Sequence, residues 1–388
     1  MKIFKLKDIS EFIRNGVTIK QDISSKEGIP ITRIETISKG TIDFNKLGYA
    51  NIFKIEKYKE WLLKKGDILI SHINSEKHLG KSAIYLDNNY DIIHGMNLLC
   101  IRAIDKKVFP EYLQLFFKTN QYKKQIKKIT KKSVNQASFS VNDFKEILIT
   151  VPDLNIQEKI IKKIKVLEKI LENNKLKLNY LSELTKSLFT RMFGDIKSND
   201  KNWKIYKFSE KLKISSGGTP SKANKIYWEN GTISWIGSNM CNDEIITKND
   251  GKFITEEGLK NSSAKIYKMN TVIVALVGAT IGKTGLLKFE TSTNQNIAAL
   301  EIKNMDYSPE FLFFLLQNLY YKFTELGGDT FKMANLSFIK NLPLISPPIE
   351  LQNKFAERIE KIEKLKFTIW KIISKVYKTL KKKGVESN

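Results

Sequence analysis

The sequence predicts an α+β protein with two similar globular domains, each followed by a long helix. The segments that begin at Pro152 and Pro347 share one helical apolar pattern, and Gln157 and Gln352 occupy matching positions 195 residues apart. Shorter motifs upstream of these segments also recur in the same order, which indicates a duplicated architecture. The four expected segments are 1–151, 152–195, 196–346 and 347–388.

Matching motifs along the two halves predict the elements of each domain in order. They comprise an apolar-patterned start, a short β-prone run, a turn before a buried strand, a helix that begins at proline, and a short helix leading into a strand. The pairs are Lys5–Gly16 and Lys207–Gly218, Gly28–Ile34 and Thr232–Ser238, Lys64–Ser71 and Lys268–Ala275, Pro110–Phe117 and Pro309–Leu316, and Ser140–Pro152 and Asn335–Pro347. Ser140 and Asn335 are the predicted N-caps of the short helices that precede the last strand of each domain. Gly194–Asn202 has loop composition and links the halves.

Apolar residues recur with a 4-3 spacing along both long segments, which is typical of a coiled-coil seam. Because a globular domain lies between the two seams, an antiparallel pair is expected. A rod of roughly 35 residues is about 50 Å long, which exceeds the ~35 Å of one turn of B-DNA. Polar residues such as Asn174 and Lys366 can fix helix register at seam positions. Lys366 can equally reach water through its long stem. The expected seam positions are Ile160, Ile164, Leu167, Asn174, Leu178, Leu181, Phe355, Ile359, Ile362, Lys366, Ile373 and Val376.

The charge of the 388-residue chain favours a polyanionic partner. Its 66 Lys and Arg against 41 Asp and Glu give a formal net charge of +25, and nucleic acid is the first candidate. A generally lysine-rich proteome is the alternative explanation. The excess is clustered in Lys118–Lys132, where Tyr122, Ile126 and Ile129 keep an apolar face. This pattern predicts a core-anchored helix with a basic outer surface suited to phosphates.

Composition also restricts the class of protein. No stretch approaches the ~18 consecutive apolar residues of a membrane span, and the N-terminus lacks the apolar core of a signal peptide, so a cytoplasmic protein without membrane partners is expected. Cys100 and Cys241, with three histidines in the chain, support neither a disulfide framework nor a zinc site. No metal site is expected.

Three runs resemble catalytic motifs but depart from them at a decisive position. Val277–Thr284 has valine where a phosphate-binding loop needs its first glycine, and therefore favours a strand-turn-strand. Ser346–Ile349 lacks the aromatic residue with which amino-methyltransferases stack a flipped base, and favours a helix start. Glu158 and Lys159 are adjacent, unlike a nuclease acid-lysine pair, and carboxylates for two-metal chemistry are not clustered. No catalytic residue is expected.

Several motifs, taken in order, resemble the specificity subunit of Type I restriction-modification systems across nearly the whole chain. They are Ser215–Ser221, Tyr227–Trp228, Ile233–Ile236, Gly278–Lys283, Asn294–Leu300, the helix start at Pro347, and Arg191–Asp195. The first half departs from the pattern, because it lacks the S-G-G-T-P run and has His72–Lys81 in place of G-A-T-I-G-K.

The resemblance implies two target recognition domains, each of which reads one half of a bipartite sequence in double-stranded DNA. The helices would set the spacing and dock two methyltransferase subunits. Restriction subunits would add translocation and cleavage. S-adenosylmethionine, ATP and magnesium would be used by those partners and not bound by this chain. A stand-alone DNA-binding scaffold or regulator is the alternative, and an enzyme is a further one.

Base readout needs hydrogen-bonding side chains on loops or helix ends that reach a groove. For the first domain the predicted DNA-binding residues are Thr32, Arg33, His72, Asn74, Lys77, Lys81, Asn135 and Gln136, with Lys124, Lys127, Lys128 and Lys131 on the basic segment. For the second they are Thr219, Ser221, Lys222, Trp235, Ser238, Asn239, Lys283, Thr284 and Lys332. Tyr227, Trp228 and Asn294–Gln295 are expected to be structural.

Overall fold

The computed structural model describes residues 1–21, 26–87, 90–134, 136–326 and 333–382. The chain forms two compact units, of which unit 1 combines Met1–Leu176 with Ile369–Asn388 and unit 2 is Lys177–Thr368. Each unit therefore holds one globular domain together with part of both long helices. Within the described ranges, no helix has the length and apolar character needed to span a membrane.

The domain of unit 1 mixes short strands with short helices, as expected for an α+β fold. Its strands are β1 (Lys2–Lys5), β2 (Ser10–Asn15), β3 (Ile68–Ser71), β4 (Ile73–Asn74), β5 (Ser82–Ile84), β6 (Leu98–Ala103), β7 (Lys131–Lys132), β8 (Ala137–Ser138) and β9 (Leu148–Val151). Its helices are α1 (Pro110–Phe116), α2 (Asn120–Ile129) and α3 (Val141–Lys145), and α4 (Leu154–Phe193) follows. The antiparallel main sheet has the order β2-β6-β3-β5.

The domain of unit 2 repeats this plan with additions. Its strands are β10 (Ile205–Lys207), β11 (Leu212–Ser216), β12 (Ile233–Ile236), β13 (Glu244–Ile246), β14 (Phe253–Ile254), β15 (Ile266–Tyr267), β16 (Val272–Ala275), β17 (Thr284–Leu287), β18 (Thr291–Thr293), β19 (Ile297–Ile302) and β20 (Pro343–Ile345). Its helices are α5 (Phe208–Lys211), α6 (Glu256–Lys260), α7 (Pro309–Asn318), α8 (Tyr320–Thr324) and α9 (Leu336–Lys340), and α10 (Ile349–Lys382) follows.

The main sheet of unit 2 has the order β11-β19-β16-β17-β13, so its first four strands match those of unit 1. A second sheet, β14-β12-β18-β15, corresponds in unit 1 to isolated bridges of the same sense, which join Ile31 to Gly48 and Ile93 and Leu62 to Ile93. In both units the first strand pairs with the last, because β1 lies against β9 and β10 against β20. The predicted duplication is confirmed.

The predicted local elements form with one exception. The Ser140 hydroxyl accepts from the Asp143 N–H at 3.0 Å, and the Asn335 side chain accepts from the Phe338 N–H at 2.8 Å, so both are N-caps. The β-prone run Gly28–Ile34 does not form a regular strand, because its pairing is limited to isolated bridges from Ile31 to Gly48 and to Ile93. Both cysteines are free and buried.

Two of the motifs that resemble catalytic ones have the predicted structural roles. A single 3₁₀ turn, Gly278–Thr280, joins β16 to β17 within the Val277–Thr284 run. Pro347 and Pro348 directly precede α10. Glu158 is exposed on α4 and pairs with Lys162 at 2.7 Å, one turn further along the helix.

The long helices pack in antiparallel order. In unit 2, Phe189 near the end of α4 lies 5.5 Å from Phe355 near the start of α10, measured between ring centroids. In unit 1, the Lys175 ammonium lies 5.7 Å from the Tyr377 ring. A residue late in α4 thus contacts one early in α10, and an earlier residue of α4 contacts a later one of α10. This is the antiparallel order.

The seam of α10 is buried at the expected apolar positions Phe355, Ile359, Ile362, Ile373 and Val376. On α4, Ile164 and Asn174 are buried, whereas Ile160, Leu167, Leu178 and Leu181 are half-buried. The fully covered side of α4 also includes Ile161, Phe189 and Phe193, because this helix packs on domain residues as well as on α10.

Among the described residues, the two polar seam residues bond within their own helices and not across the helix pair. The Asn174 amide donates to the Ile170 carbonyl at 2.7 Å within its own helix. The half-buried Lys366 ammonium pairs with Glu363 at 2.7 Å, one turn earlier.

Candidate nucleic-acid interface

The two ends of each main sheet differ in what they contact. At one end, the segment after β6 or β19 is held by a glutamine of the following long helix. The Gln157 side chain accepts from the Phe109 N–H and donates to the carbonyls of Lys107 and Pro152. Gln352 makes the same three bonds in unit 2, to Ser308, Asp306 and Pro347, with matching distances of 2.8–3.1 Å in both sets.

The opposite end, here called the loop end, carries the connections between strands. In unit 1 it comprises residues 16–18, 72–81 and 95–97, and in unit 2 it comprises 217–222, 237–243, 276–283 and 293–296. Exposed loops on a rigid sheet are a common place for binding residues. Many of the predicted DNA-binding residues lie in these loops or beside them.

In unit 1 a small sheet brings separate predicted residues together at the loop end. Strand β8 pairs with both β4 and β7, so that Asn74 and Lys132 both lie opposite Ala137. Gln136 and Lys131 are exposed on the neighbouring backbone. Lys132 was not among the predicted contacts, and its ammonium pairs with Glu76 at 2.9 Å.

A basic cleft of about 380 Å³ lies between residues 76–82 and helix α2. Its charged lining consists of Lys77, Lys81, Lys118, Lys123, Lys127 and Glu76. Helix α2 is anchored from below, since Tyr122 and Ile126 are buried and the Tyr122 hydroxyl donates to the Gly80 carbonyl at 3.1 Å. Lys124, Lys127 and Lys128 are exposed on its outer side. The predicted basic outer surface is therefore present.

Lys118 and Lys123 also line this cleft; both belong to the predicted basic segment Lys118–Lys132 but were not among its individually predicted contacts. The Lys118 ammonium pairs with Glu168 at 3.0 Å. Helical spacing could have identified Lys123, because Lys123 and Lys127 lie one turn apart on α2 beside the buried Tyr122 and Ile126.

In unit 2 the loop 217–222 is fastened to its neighbours by side chains. The Thr219 hydroxyl donates to the Gln295 side chain at 2.6 Å. The indole of Trp228 donates to the Ser221 carbonyl at 3.1 Å and packs edge-on against Trp235. These supports leave the side chains of Ser221 and Lys222 exposed.

The loop 237–243 and the turn before β17 complete the loop end of unit 2. Ser238 is half-buried, and the exposed Asn239 donates to Asp250 at 3.4 Å. The Lys283 ammonium lies 2.6 Å from the Asp243 carboxylate. This ion pair raises the pKa of Lys283, so the side chain is held in its charged form.

Four of the predicted DNA-binding residues, Thr32, His72, Trp235 and Thr284, are buried. Thr32 accepts from the Gly95 N–H at 2.9 Å, Thr284 donates to Asp243 at 3.1 Å, and the Trp235 indole donates to the Gly218 carbonyl at 3.0 Å. His72 is buried and its desolvation lowers its pKa. Their side chains serve the interior of each domain. Arg33 is partly exposed, with its guanidinium 3.7 Å from Glu35. Asn135 and Lys332 lie outside the described residues.

The chain thus consists of two similar domains, each with exposed polar and basic side chains at its loop end, and two long antiparallel helices. A family model described as Type I restriction modification DNA specificity domain matches the chain twice, over residues 1–181 and 200–383. The chain belongs to this family and carries two of its DNA specificity domains.

Relatives and solved structures agree with this assignment. A protein of Methanocaldococcus jannaschii described as a type I restriction enzyme specificity subunit (MjaX) is 30% identical over 385 residues, which cover 94% of this chain and 87% of that protein. The crystal structure of a Type I S subunit from M. genitalium has a TM-score of 0.63 at 14% identity, covering 100% of this chain and 96% of its own.

A chain from a structure on complex assembly and conformational transition of the type I R-M system has a TM-score of 0.55 at 14% identity. The match covers 97% of this chain and 95% of that one. At these identities both structures show a shared fold.

Proposed function

We propose that this chain is the DNA-recognition subunit of a Type I restriction-modification complex, with one half-site of a bipartite target read by each domain. The observation that carries this proposal is the duplication. Each of the two family domains presents exposed polar and basic side chains at the loop end of its own main sheet. The loop ends differ in composition and in added strands, as two readers of different half-sites would.

The predicted DNA-binding residues that are exposed or half-buried divide into candidate base readers and candidate phosphate contacts. Those on loops can reach base edges, and in our proposal the readers are Arg33, Asn74, Lys77, Gln136, Thr219, Ser221, Lys222, Ser238 and Asn239. The basic outer surface of α2 offers charge without fixed geometry and suits the DNA backbone. Its proposed phosphate contacts are Lys124, Lys127 and Lys128, with Lys131 beyond the helix end.

The long helices are proposed to set the spacing between half-sites and to dock two methyltransferase subunits, with restriction subunits added to that core. Helix α4 has 40 residues and α10 has 34, which correspond to about 60 Å and about 51 Å. Both expose large apolar side chains, a feature of surfaces that bind other proteins. Examples are Val166, Tyr180 and Leu184 on α4 and Leu365, Phe367 and Trp370 on α10.

The proposed division of labour assigns recognition to 1–151 and 196–346, and spacing and docking to 152–195 and 347–388. In this proposal, methyl transfer from S-adenosylmethionine, and ATP- and magnesium-dependent restriction, belong to the partner subunits. The proposal also places the whole complex in the cytoplasm. This chain then contributes recognition alone.

Co-expression with a modification subunit and an affinity tag on this chain tests the proposal. We expect stable capture of the methyltransferase, and methylome sequencing of the host should show one bipartite motif with a methylated adenine in each half. A chain that binds DNA but captures no methyltransferase would instead be a stand-alone regulator. A chain that methylates or cleaves DNA by itself would be an enzyme.

A further inference from the structure

Both units contain the same glycine-lysine turn, at Gly80-Lys81 and at Gly282-Lys283. In unit 1 the Gly80 N–H donates to the Ser71 carbonyl at 2.7 Å, and the Ser71 N–H donates to the Lys81 carbonyl at 2.9 Å. In unit 2 the Gly282 N–H donates to the Ala275 carbonyl and the Ala275 N–H to the Lys283 carbonyl, both at 2.9 Å. The two lysines therefore leave equivalent points of the two main sheets.

The glycine of each turn is required by its backbone and its surroundings. Gly80 and Gly282 both have φ of +75°, in the left-handed region that favours glycine. A Cβ at Gly80 would lie 3.2 Å from Ile126 of α2, and one at Gly282 would lie 2.8 Å from Phe323 of α8. Each turn is thus packed against the helix that follows the proline-initiated helix of its domain, α2 after α1 and α8 after α7, which fixes where the lysine side chain begins.

The two ammonium groups have different partners within the protein. The Lys81 ammonium donates to the Ser38 carbonyl at 3.0 Å and lines the basic cleft beside Lys77 and Lys127. The Lys283 ammonium is paired with Asp243 and lies 5.4 Å from the Tyr320 ring centroid, and its side chain is 41% exposed. Both lysines are therefore at the protein surface.

We propose that Lys81 and Lys283 are equivalent anchors for DNA phosphate, one in each domain, and that neither reads a base. This inference rests on the proposed function. Two half-sites of different sequence share their sugar-phosphate backbone, and backbone contacts position a protein without carrying sequence information. The part of the interface that is the same in both domains therefore contacts the part of DNA that is the same in both half-sites.

Asp243 is the positioning residue for the second anchor. It has φ of +61°, and its carboxylate accepts from the Thr284 N–H at 3.0 Å as well as from Lys283. A phosphate that binds Lys283 must compete with this carboxylate, whereas at Lys81 it competes with a neutral carbonyl. Asparagine at this position would keep an acceptor for the Thr284 N–H and release the lysine.

Binding of the full chain to its target duplex and to an unrelated duplex, over a series of salt concentrations, tests the anchors. Lys81→Ala and Lys283→Ala should each weaken both duplexes by the same factor and reduce the salt slope by about 1. Lys213→Ala is the matched control, because Lys213 also pairs with a carboxylate, Glu301, at 3.1 Å, but near the opposite end of the sheet. Asp243→Asn should raise affinity for both duplexes roughly two- to fivefold.

The possible outcomes separate the two levels of the inference. A changed base preference in Lys81→Ala or Lys283→Ala, with unrelated DNA bound as before, would overturn the anchor role. Unaltered binding in both variants would overturn it too. An unchanged thermal midpoint in each variant shows that a change in its binding is not due to misfolding. If the unaltered chain binds no duplex, with or without modification subunits, the proposed function itself fails.

Discussion

Asp67 and Arg102 form a two-pronged ion pair in unit 1, with both nitrogen–oxygen distances 2.7 Å. The Asp67 side chain is 1% exposed and that of Arg102 is 19% exposed. Asp67 also accepts from the Lys64 N–H at 2.8 Å, so one carboxylate closes the turn before β3 and joins β3 to β6. The pair fixes the middle of the sheet from which the loop end projects.

Arg102→Ala should strongly destabilise unit 1, because it leaves the Asp67 carboxylate buried without its cation. We expect the free energy of unfolding to fall by about 2–4 kcal/mol, less than for a fully buried pair since Arg102 is partly exposed. Urea denaturation measures this. Lys213→Ala breaks an exposed pair and should change stability by less than about 1 kcal/mol. Equal effects of the two variants would contradict the role given to Asp67.

Gln157→Leu and Gln352→Leu should each weaken the attachment of a domain to its long helix. The leucine side chain cannot bond to the N–H of Phe109 or Ser308, and each unsatisfied buried group costs about 1–3 kcal/mol. Thermal unfolding should show a lower midpoint for both variants. Gln121→Leu, at an exposed glutamine of α2, is the control and should leave the midpoint nearly unchanged. A wild-type midpoint in Gln352→Leu would show that the bonds are dispensable.

Arg33→Ala and Lys127→Ala should separate base reading from backbone binding. Loss of a base contact should relax specificity at one base pair by ~1–3 kcal/mol, whereas loss of Lys127 should weaken all sequences alike and reduce the salt slope. Competition binding with single-base variants of the target measures both. If the two variants behave identically, the proposed division of the interface is wrong.

A paired heptad insertion tests the helices as a spacer. Seven residues after Asn174, matched by seven beside Tyr377 on the facing part of α10, add about 10 Å to the helix pair. We expect the spacer between the methylated half-sites to lengthen by about three base pairs, with both half-sites unchanged. The same insertion within Gly194–Asn202, outside the paired helices, should leave the spacer as it was. An unchanged spacer after the paired insertion would contradict the model.

His94 predicts an acid-sensitive unit 1. Burial lowers the pKa of this histidine to about 4, and its Nε2 donates to the Leu98 carbonyl at 2.8 Å. Because the pKa is lower in the folded than in the unfolded chain, the unfolded state takes up a proton first. Stability should therefore be retained above about pH 6.5 and fall towards pH 4.

Urea unfolding at pH 7 and pH 5 checks this expectation, with a loss of about 2 kcal/mol at the lower pH. His94→Gln keeps a donor for Leu98 and should remove most of the difference. His78→Gln is the control at a half-exposed histidine. A pH dependence that persists in His94→Gln would assign it to other groups.

Local signals account for what the sequence could predict. The caps Ser140 and Asn335, the proline-initiated α1 and α7, and the matching glutamines depend on residues near one another in the chain, so their patterns were readable. Burial of Thr32, Trp235 and Thr284 could not be predicted from the sequence, because their polar side-chain atoms bond to partners distant in the chain, Gly95, Gly218 and Asp243. The sequence placed His72–Lys81 opposite Gly278–Lys283, but the common hydrogen bonds of the turns at Gly80 and Gly282 could not be predicted because the residues before each glycine differ.

The pairing of first and last strands in each domain has an evolutionary consequence. Since β1 lies against β9 and β10 against β20, the chain enters and leaves each domain at adjacent strands. A domain can therefore be exchanged between related genes as a cassette, with both cut points at one place on the scaffold. Under the proposed function, one such recombination event would give the host a new target by altering one half-site, while the helices and their partners are inherited intact.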